Sequence, residues 1–180
     1  YGGHVALAVA VQHPALVQSA FVFEPGAVTS FVTDAAEQKA IRDDAAHFGP
    51  VGKAMQAGDH VEAARQLIDM VSARAGYFDA QPAHRRAVQL DSVRSMQVLV
   101  GHELKPDISC EQLGRIQAPV AIARGGNARP FFRHIADAAM RCLPGRRHVV
   151  VPNADHLWPA EQPAAFSEAV AAFIASQKQR

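Results

Sequence analysis

Three short apolar runs, each ending in a turn-forming loop, constrain this chain more than any other feature. Residues 17–23 are rich in β-branched and aromatic side chains and run straight into Glu24-Pro25-Gly26. Residues 120–123 end at Gly125-Gly126, and residues 147–151 end at Pro152. Runs of this length, with Gly or Pro at their ends, read as short parallel strands ending at loops. Helical patterns separate them. Gly2-Gly3 leads into an apolar stretch from His4 to Val11 that Pro14 stops, and continuous apolarity at helix length predicts a helix buried on both sides. A helix from about Pro130 carries Ile135, Ala139 and Cys142 on one face before Pro144-Gly145. A closing helix with Pro163 near its first turn aligns Phe166, Val170, Phe173 and Ile174. This order is the grammar of an α/β parallel sheet interrupted once by helices.

The interruption covers residues 33–106. Asp34 with Glu37, and Asp59 with Glu62, place a capping oxygen three residues ahead of a glutamate, the spacing of a helix N-terminal box. Val61, Ala64, Leu67, Ile68 and Val71 keep the 3.6 period with Gly76 as a C-terminal stop, and Leu90, Val93, Met96 and Val100 repeat it. The predicted organisation is therefore core over 1–32, a helical insert over 33–106, and core again over 107–180.

Charge and composition narrow the partners. Eighteen Lys and Arg against 17 Asp and Glu leave a formal charge of +1, so no basic field is available to hold a nucleic-acid backbone. The apolar runs fall far short of the roughly 20 residues that a bilayer-spanning helix needs. Cys110 and Cys142 lie far apart without C-x-x-C spacing and read as buried small hydrophobes, neither a zinc site nor a disulfide framework. The histidines show no two-histidine helical spacing beside a glutamate, so no metal is expected. Arg85-Arg86 and Arg146-Arg147-His148 read as solvated faces.

In open parallel sheets ligands bind beyond the carboxyl ends of the strands. Those positions carry Glu24, the Arg124-Gly125-Gly126-Asn127 loop, and the loop from Asn153 to Trp158 that holds His156. A histidine acting as a base needs a carboxylate on its far ring nitrogen to hold its tautomer and to stabilise the imidazolium. Glu24 ends the first strand, and two strand ends of one sheet can bring such groups together. Asp155 is the weaker choice, since adjacent side chains in extended backbone point apart.

Tyr1-Gly2-Gly3 followed by an apolar helix resembles the tail of a G-x-S-x-G nucleophile elbow, with Tyr1 and Gly2 in the last two positions. Ala118-Pro-Val-Ala-Ile-Ala-Arg-Gly-Gly126, then Leu143-Pro-Gly145, Asn153-Ala-Asp-His156 and Glu161-Gln-Pro-Ala-Ala-Phe166, is similar to the C-terminal end of α/β-hydrolases. Together the matching stretches cover somewhat under half the chain, and the helical middle corresponds in position to that family's variable cap. The resemblance implies a partial α/β-hydrolase sheet with a cap insertion, and a chain that begins just after the nucleophile. It implies His156 as general base and the backbone N–H of Tyr1 in the oxyanion hole. The family's commonest acid follows the strand that is here 120–123, yet residues 125–128 offer no carboxylate; Glu24 occupies the preceding strand end, which some members, haloalkane dehalogenases among them, use instead.

The expected function is that of a cofactor-independent hydrolase of a small ester-like or related substrate, the nucleophile standing before Tyr1. An aspartate there implies dehalogenase or epoxide hydrolase chemistry, a serine an esterase, lipase or carbon–carbon bond hydrolase. Trp158, Leu157 and Phe31 are expected to wall an apolar substrate pocket. Ser19 and Ser30 occupy no elbow, so the 180 residues alone are expected to be inactive, and an uncovered strand edge is expected to make them associate. A hydrolase-like module that binds a small ligand or a protein without turnover is the alternative. Substrate, oligomeric state and localisation are not legible, the cytoplasm being slightly favoured in the absence of a visible export signal.

Overall fold

The computed structural model of the chain describes residues 1–26, 30–93, 95, 108–143, 145 and 147–177. Met96, Val100, Pro144 and Arg146, all named above, lie outside these residues. The chain divides into two compact units, Tyr1–Ile41 with Lys105–Arg180, and Arg42–Leu104.

The first unit holds a parallel sheet of three strands among the described residues, in the order β1 (Ala20–Phe23), β2 (Val120–Gly125), β3 (Arg147–Val151). Ala20 pairs with Val120 and Phe23 with Ala123, while Ala121 pairs with Arg147 and Gly125 with Val151. This register brings the carboxyl ends of all three strands to one rim. The first strand is shorter than the sequence run suggests, because Pro14–Leu16 form a 3-10 turn and pairing with β2 begins only at Ala20.

Side-chain alternation explains how β1 is covered. Helix α1 (Gly2–Gln12) packs on the Val22 face, and Gly3 permits that approach: a Cβ there would stand 3.0 Å from Val22 Cγ1 and 3.2 Å from the Phe23 carbonyl oxygen. Phe21 and Phe23 point to the opposite face and meet Phe166, Phe21 also meeting Phe173, at centroid distances of 5.9–6.4 Å. α1 is nonetheless buried on one face only, through His4, Leu7 and Ala10, while Val5 is 42% exposed. The expectation of burial on both sides fails because continuous apolarity states what a helix can bury, and here the described neighbours cover one stripe of it. Leu16, 76% exposed, borders a groove of about 470 Å³ shared with Ala6, Val9 and Ala20, at the amino end of β1.

β2 is the centre of the core: Val120, Ala121, Ile122 and Ala123 are all buried, with Leu7, Val22, Ile135, Ala139 and Leu143 around them. Truncating a buried side chain such as Ile122 to Ala in a site of this kind costs about 2–5 kcal/mol. The short helix α7 (Cys110–Gly114) opens with a capping box in which Ser109 accepts from the Gln112 N–H and the Gln112 side chain accepts from the Ser109 N–H. α8 (Pro130–Cys142) follows β2, α9 (Trp158–Glu161) follows β3, and α10 (Pro163–Gln177) closes the chain.

Between β1 and β2 run α2 (Ala35–Ala45), α3 (Gly49–Gln56), α4 (His60–Ser72), α5 (Tyr77–Ala80) and α6 (Ala83–Val93). The Asp34 and Asp59 carboxylates accept from the N–H groups of Glu37 and Glu62, each at 2.9 Å, at the two helix starts read from the sequence. Within the second unit α3 packs on α4, burying Val51, Met55, Ala64 and Ile68. Gly76 is not the stop of α4. That helix ends at Ala73, itself left-handed at φ 54°, and Gly76 starts α5, where the Asp69 carboxylate accepts from the Gly76 and Phe78 N–H groups at 2.7 Å. A carboxylate at the α5 start outweighed the glycine's preference for a helix end. No helix among the described residues is long and apolar enough to cross a membrane.

Cys110 and Cys142 form a disulfide, which corrects the reading of two unpaired thiols. Cys110 is the first residue of α7 and Cys142 the last of α8, and these helix ends meet with 5.0 Å between the Cα atoms. Spacing along the chain carries no information about that meeting. Closing a loop across 32 positions restricts the unfolded chain by about 3–4 kcal/mol. Denaturant unfolding should lose that amount when the bond is reduced or in Cys110→Ser, and thiol titration should find no free thiol in the folded oxidised chain. Two reactive thiols before reduction would disprove the bond.

Candidate functional site

Glu24 and His156, 132 residues apart in sequence, meet at the carboxyl rim of the sheet. Glu24 directly follows β1, and the sequence turns sharply there: its φ is +42°, a left-handed value unusual for a residue with a Cβ, and Pro25 comes next. Such backbone costs on the order of 1–3 kcal/mol and persists where surrounding contacts over-determine it. The contacts here are hydrogen bonds at both carboxylate oxygens. Oε1 accepts from the Gly125 N–H at 2.8 Å, and Oε2 accepts from His156 Nδ1 at 2.7 Å. The Glu24 side chain has no exposed surface, whereas that of His156 is 24% exposed. With Nδ1–H donating to a carboxylate, Nε2 is the nitrogen with the free lone pair.

The His156 loop is braced from the neighbouring strand end. Gly126 N–H donates to the Val151 carbonyl at 2.8 Å, and Asn127 N–H donates to the Ala154 carbonyl at 2.9 Å. Asn153 takes the left-handed turn at φ 59°, and Asp155 uses its carboxylate to accept from the Leu157 N–H at 2.8 Å. That contact holds the loop and points Asp155 to a scaffolding job. Gly125 permits the whole arrangement: a Cβ on it would stand 2.1 Å from the Ala154 carbonyl oxygen. Gly125-Gly126, legible in the sequence as the turn that ends the strand, also marks the close backbone approach that the Ala154 carbonyl makes here.

Aromatic rings surround the imidazole. Phe132, on the first turn of α8, lies flat against it with centroids 3.8 Å apart and planes 8° apart, and Phe23 is 6.4 Å away at 23°. Trp158 packs behind, 5.3 Å from both Phe23 and Phe166, and is buried. Leu157 is half-buried beside the histidine, and Phe31 is buried in the core cluster with Leu7 and Val22. Nothing in the sequence pattern singled out Phe132.

Tyr1 is the N-cap of α1, its carbonyl accepting from His4 and Val5 N–H at 2.9 and 3.2 Å. The approach of Gly3 to the Phe23 carbonyl and to Pro25 Cα brings this helix start to the same rim as Glu24. The Tyr1 side chain is half-exposed. Among the described residues no group of three or more His, Cys, Asp and Glu side chains is gathered to hold a metal ion. The groove at the amino end of β1 contains none of the residues of the rim.

Neither a family model nor a curated protein matches the sequence. Solved structures do. The chain is similar to MenH from S. aureus at 16% identity and a TM-score of 0.67, over 98% of this chain and 65% of that one. It is similar to MGS-M2, an α/β-hydrolase enzyme from a Medee basin deep-sea metagenome library, at 16% identity and a TM-score of 0.69, over 97% and 62%. A serine hydrolase involved in carbazole degradation, the CarC enzyme, matches at 15% identity and a TM-score of 0.52, over 97% and 60%. The chain thus has a partial α/β-hydrolase fold and spans 60–65% of the length of these three structures.

Replacing Gly125 by Ala should drive the loops after β2 and β3 apart and withdraw the N–H from Glu24. Urea unfolding is expected to register a loss of at least about 2 kcal/mol. A G125A protein as stable as the parent would mean that the two loops are not packed this closely.

Proposed function

We propose that this chain, as part of an α/β-hydrolase fold, carries the base and the acid of a nucleophilic hydrolase whose nucleophile stands on the N-terminal side of Tyr1. His156 Nε2 takes the proton of a serine hydroxyl as the hydroxyl attacks an ester-like carbonyl, and returns it to the leaving group. Glu24 keeps the imidazole in the tautomer that leaves Nε2 basic and faces the imidazolium formed in the step. The Tyr1 backbone N–H, as the amide following the nucleophile, donates to the oxyanion from the start of α1, where the helix dipole also favours negative charge. Leu157, half-buried beside the base, is the proposed apolar contact for substrate, while Trp158 and Phe31 are buried and serve packing instead. The helical insert, residues 33–106, is proposed to serve as the cap, and no cofactor is needed for these steps.

The observation that carries this reading is the buried Glu24 carboxylate bonded at 2.7 Å to a partly accessible histidine at the strand ends. Building a strained residue and a fully buried acid costs stability, and here both serve to present a carboxylate to the imidazole. The CarC structure, described as a serine hydrolase, supports serine rather than aspartate as the nucleophile.

In the full-length protein a fluorophosphonate probe should label one serine upstream of Tyr1. His156→Ala should abolish labelling, and Glu24→Gln should lower kcat by on the order of 10³–10⁴ with substrate binding retained, as loss of the orienting acid does in comparable triads. The 180 residues alone should neither label nor turn over substrate. An unchanged rate in Glu24→Gln would remove it from the triad, and tight ligand binding with no turnover by the full-length protein would favour a binding module instead.

A further inference from the structure

The hydrogen bond to Glu24 holds one edge of the His156 imidazole and leaves its plane to be set by other contacts, because a single Nδ1–H···O bond tolerates wide tilting. The face of the ring is covered by Phe132, at 3.8 Å and within 8° of parallel. Phe132 has little freedom of its own. It is buried, it follows Pro130 at the start of α8, and Phe131 stands perpendicular to it at 5.1 Å and 88°. Its edge meets the Gly26 backbone so closely that a Cβ on Gly26 would lie 3.1 Å from Phe132 Cε1 and 3.3 Å from Cδ1. Gly26 is two residues beyond Glu24, so one short turn presents the carboxylate to the edge of the imidazole and backs the phenyl ring that covers its face.

We propose that Phe132 is a positioning residue for His156, setting the imidazole plane so that Nε2 points in one direction. When the imidazole takes a proton, the same ring face meets the cation with its π-electron density. The inference rests on His156 being the general base. It adds a second, orthogonal restraint to the one that Glu24 supplies, and the chemistry is sensitive to it, since a displacement of about 1 Å can cost 10²-fold in rate.

The test uses the full-length protein with an ester substrate. Phe132→Leu should lower kcat by about 10- to 100-fold while KM stays within about threefold. Phe132→Tyr, which keeps the ring, should restore kcat to within about threefold of the parent. Phe173→Leu, an equally buried phenylalanine packed on Phe21, should lose stability without lowering kcat below its unfolding transition. Proton NMR supplies a readout that needs no variant to fold: in the parent, the ring current of Phe132 should move the His156 imidazole C–H resonances upfield of their random-coil positions. Resonances at random-coil positions in the parent, or a kcat for Phe132→Leu within twofold of the parent, would overturn the proposal. His156→Ala separates the two levels of inference. Turnover retained in that variant defeats the base assignment itself, whereas an inactive His156→Ala beside an unaffected Phe132→Leu defeats the role of Phe132 alone.

Discussion

The loops after β2 and β3 are joined by backbone hydrogen bonds, and the rim of the sheet depends on that junction. Gly126 and Asn127 donate to Val151 and Ala154, and the absence of a side chain on Gly125 lets the Ala154 carbonyl sit where a Cβ would be. The Gly125 N–H is thereby left pointing at Glu24 Oε1. One glycine consequently serves two ends: it allows the loop of β3 to close over the strand end, and it pins the carboxylate that reaches His156. A buried carboxylate with only one occupied oxygen would carry a large desolvation penalty, so the clamp is what makes burial of the acid tolerable.

The parallel register distributes the rest of the work. Because β1 pairs residue for residue with β2, and β2 with β3, the three carboxyl ends finish within two residues of one another, and residues far apart in sequence become neighbours without long side chains having to reach. The two faces of β1 then receive different partners. Val22 faces α1, whose start lies at the rim with Tyr1, while Phe21 and Phe23 face α10, and Phe23 extends the aromatic group that continues through Trp158. The disulfide between α7 and α8 tethers the far end of the helix whose first turn carries Phe132. Core, tether and rim are thus parts of one mechanical path.

Much of this was legible in the residues. The three strands, the Pro130 and Pro163 helix starts and the boxes at Asp34 and Asp59 follow from local rules: β-branched runs bounded by turns, a proline that loses nothing at a first helical position, a carboxylate that accepts from an unpaired N–H. Glu24 and His156 were legible as strand-end residues of the right chemical types. Their local signals end there. The disulfide escaped because its two cysteines meet through helix packing, Gly76 was misplaced because Asp69 supplies a competing helix start, and the one-sided burial of α1 escaped because apolarity does not state which neighbours arrive. Phe132 had no signal at all, since a phenylalanine on the first turn of an amphipathic helix looks like any core residue.

The sequence by itself determined the order of helices and strands, the chemistry available at each strand end, and the lack of a carboxylate after β2, because these depend on composition and spacing over a few residues. The tertiary structure alone decided that Glu24 and His156 bond at 2.7 Å, that Gly125 clamps the acid, and that Phe132 lies on the imidazole. Those contacts join segments more than 20 positions apart. Their geometry is set by sheet register and by the absence of a single Cβ, quantities that exist only once the chain has closed on itself.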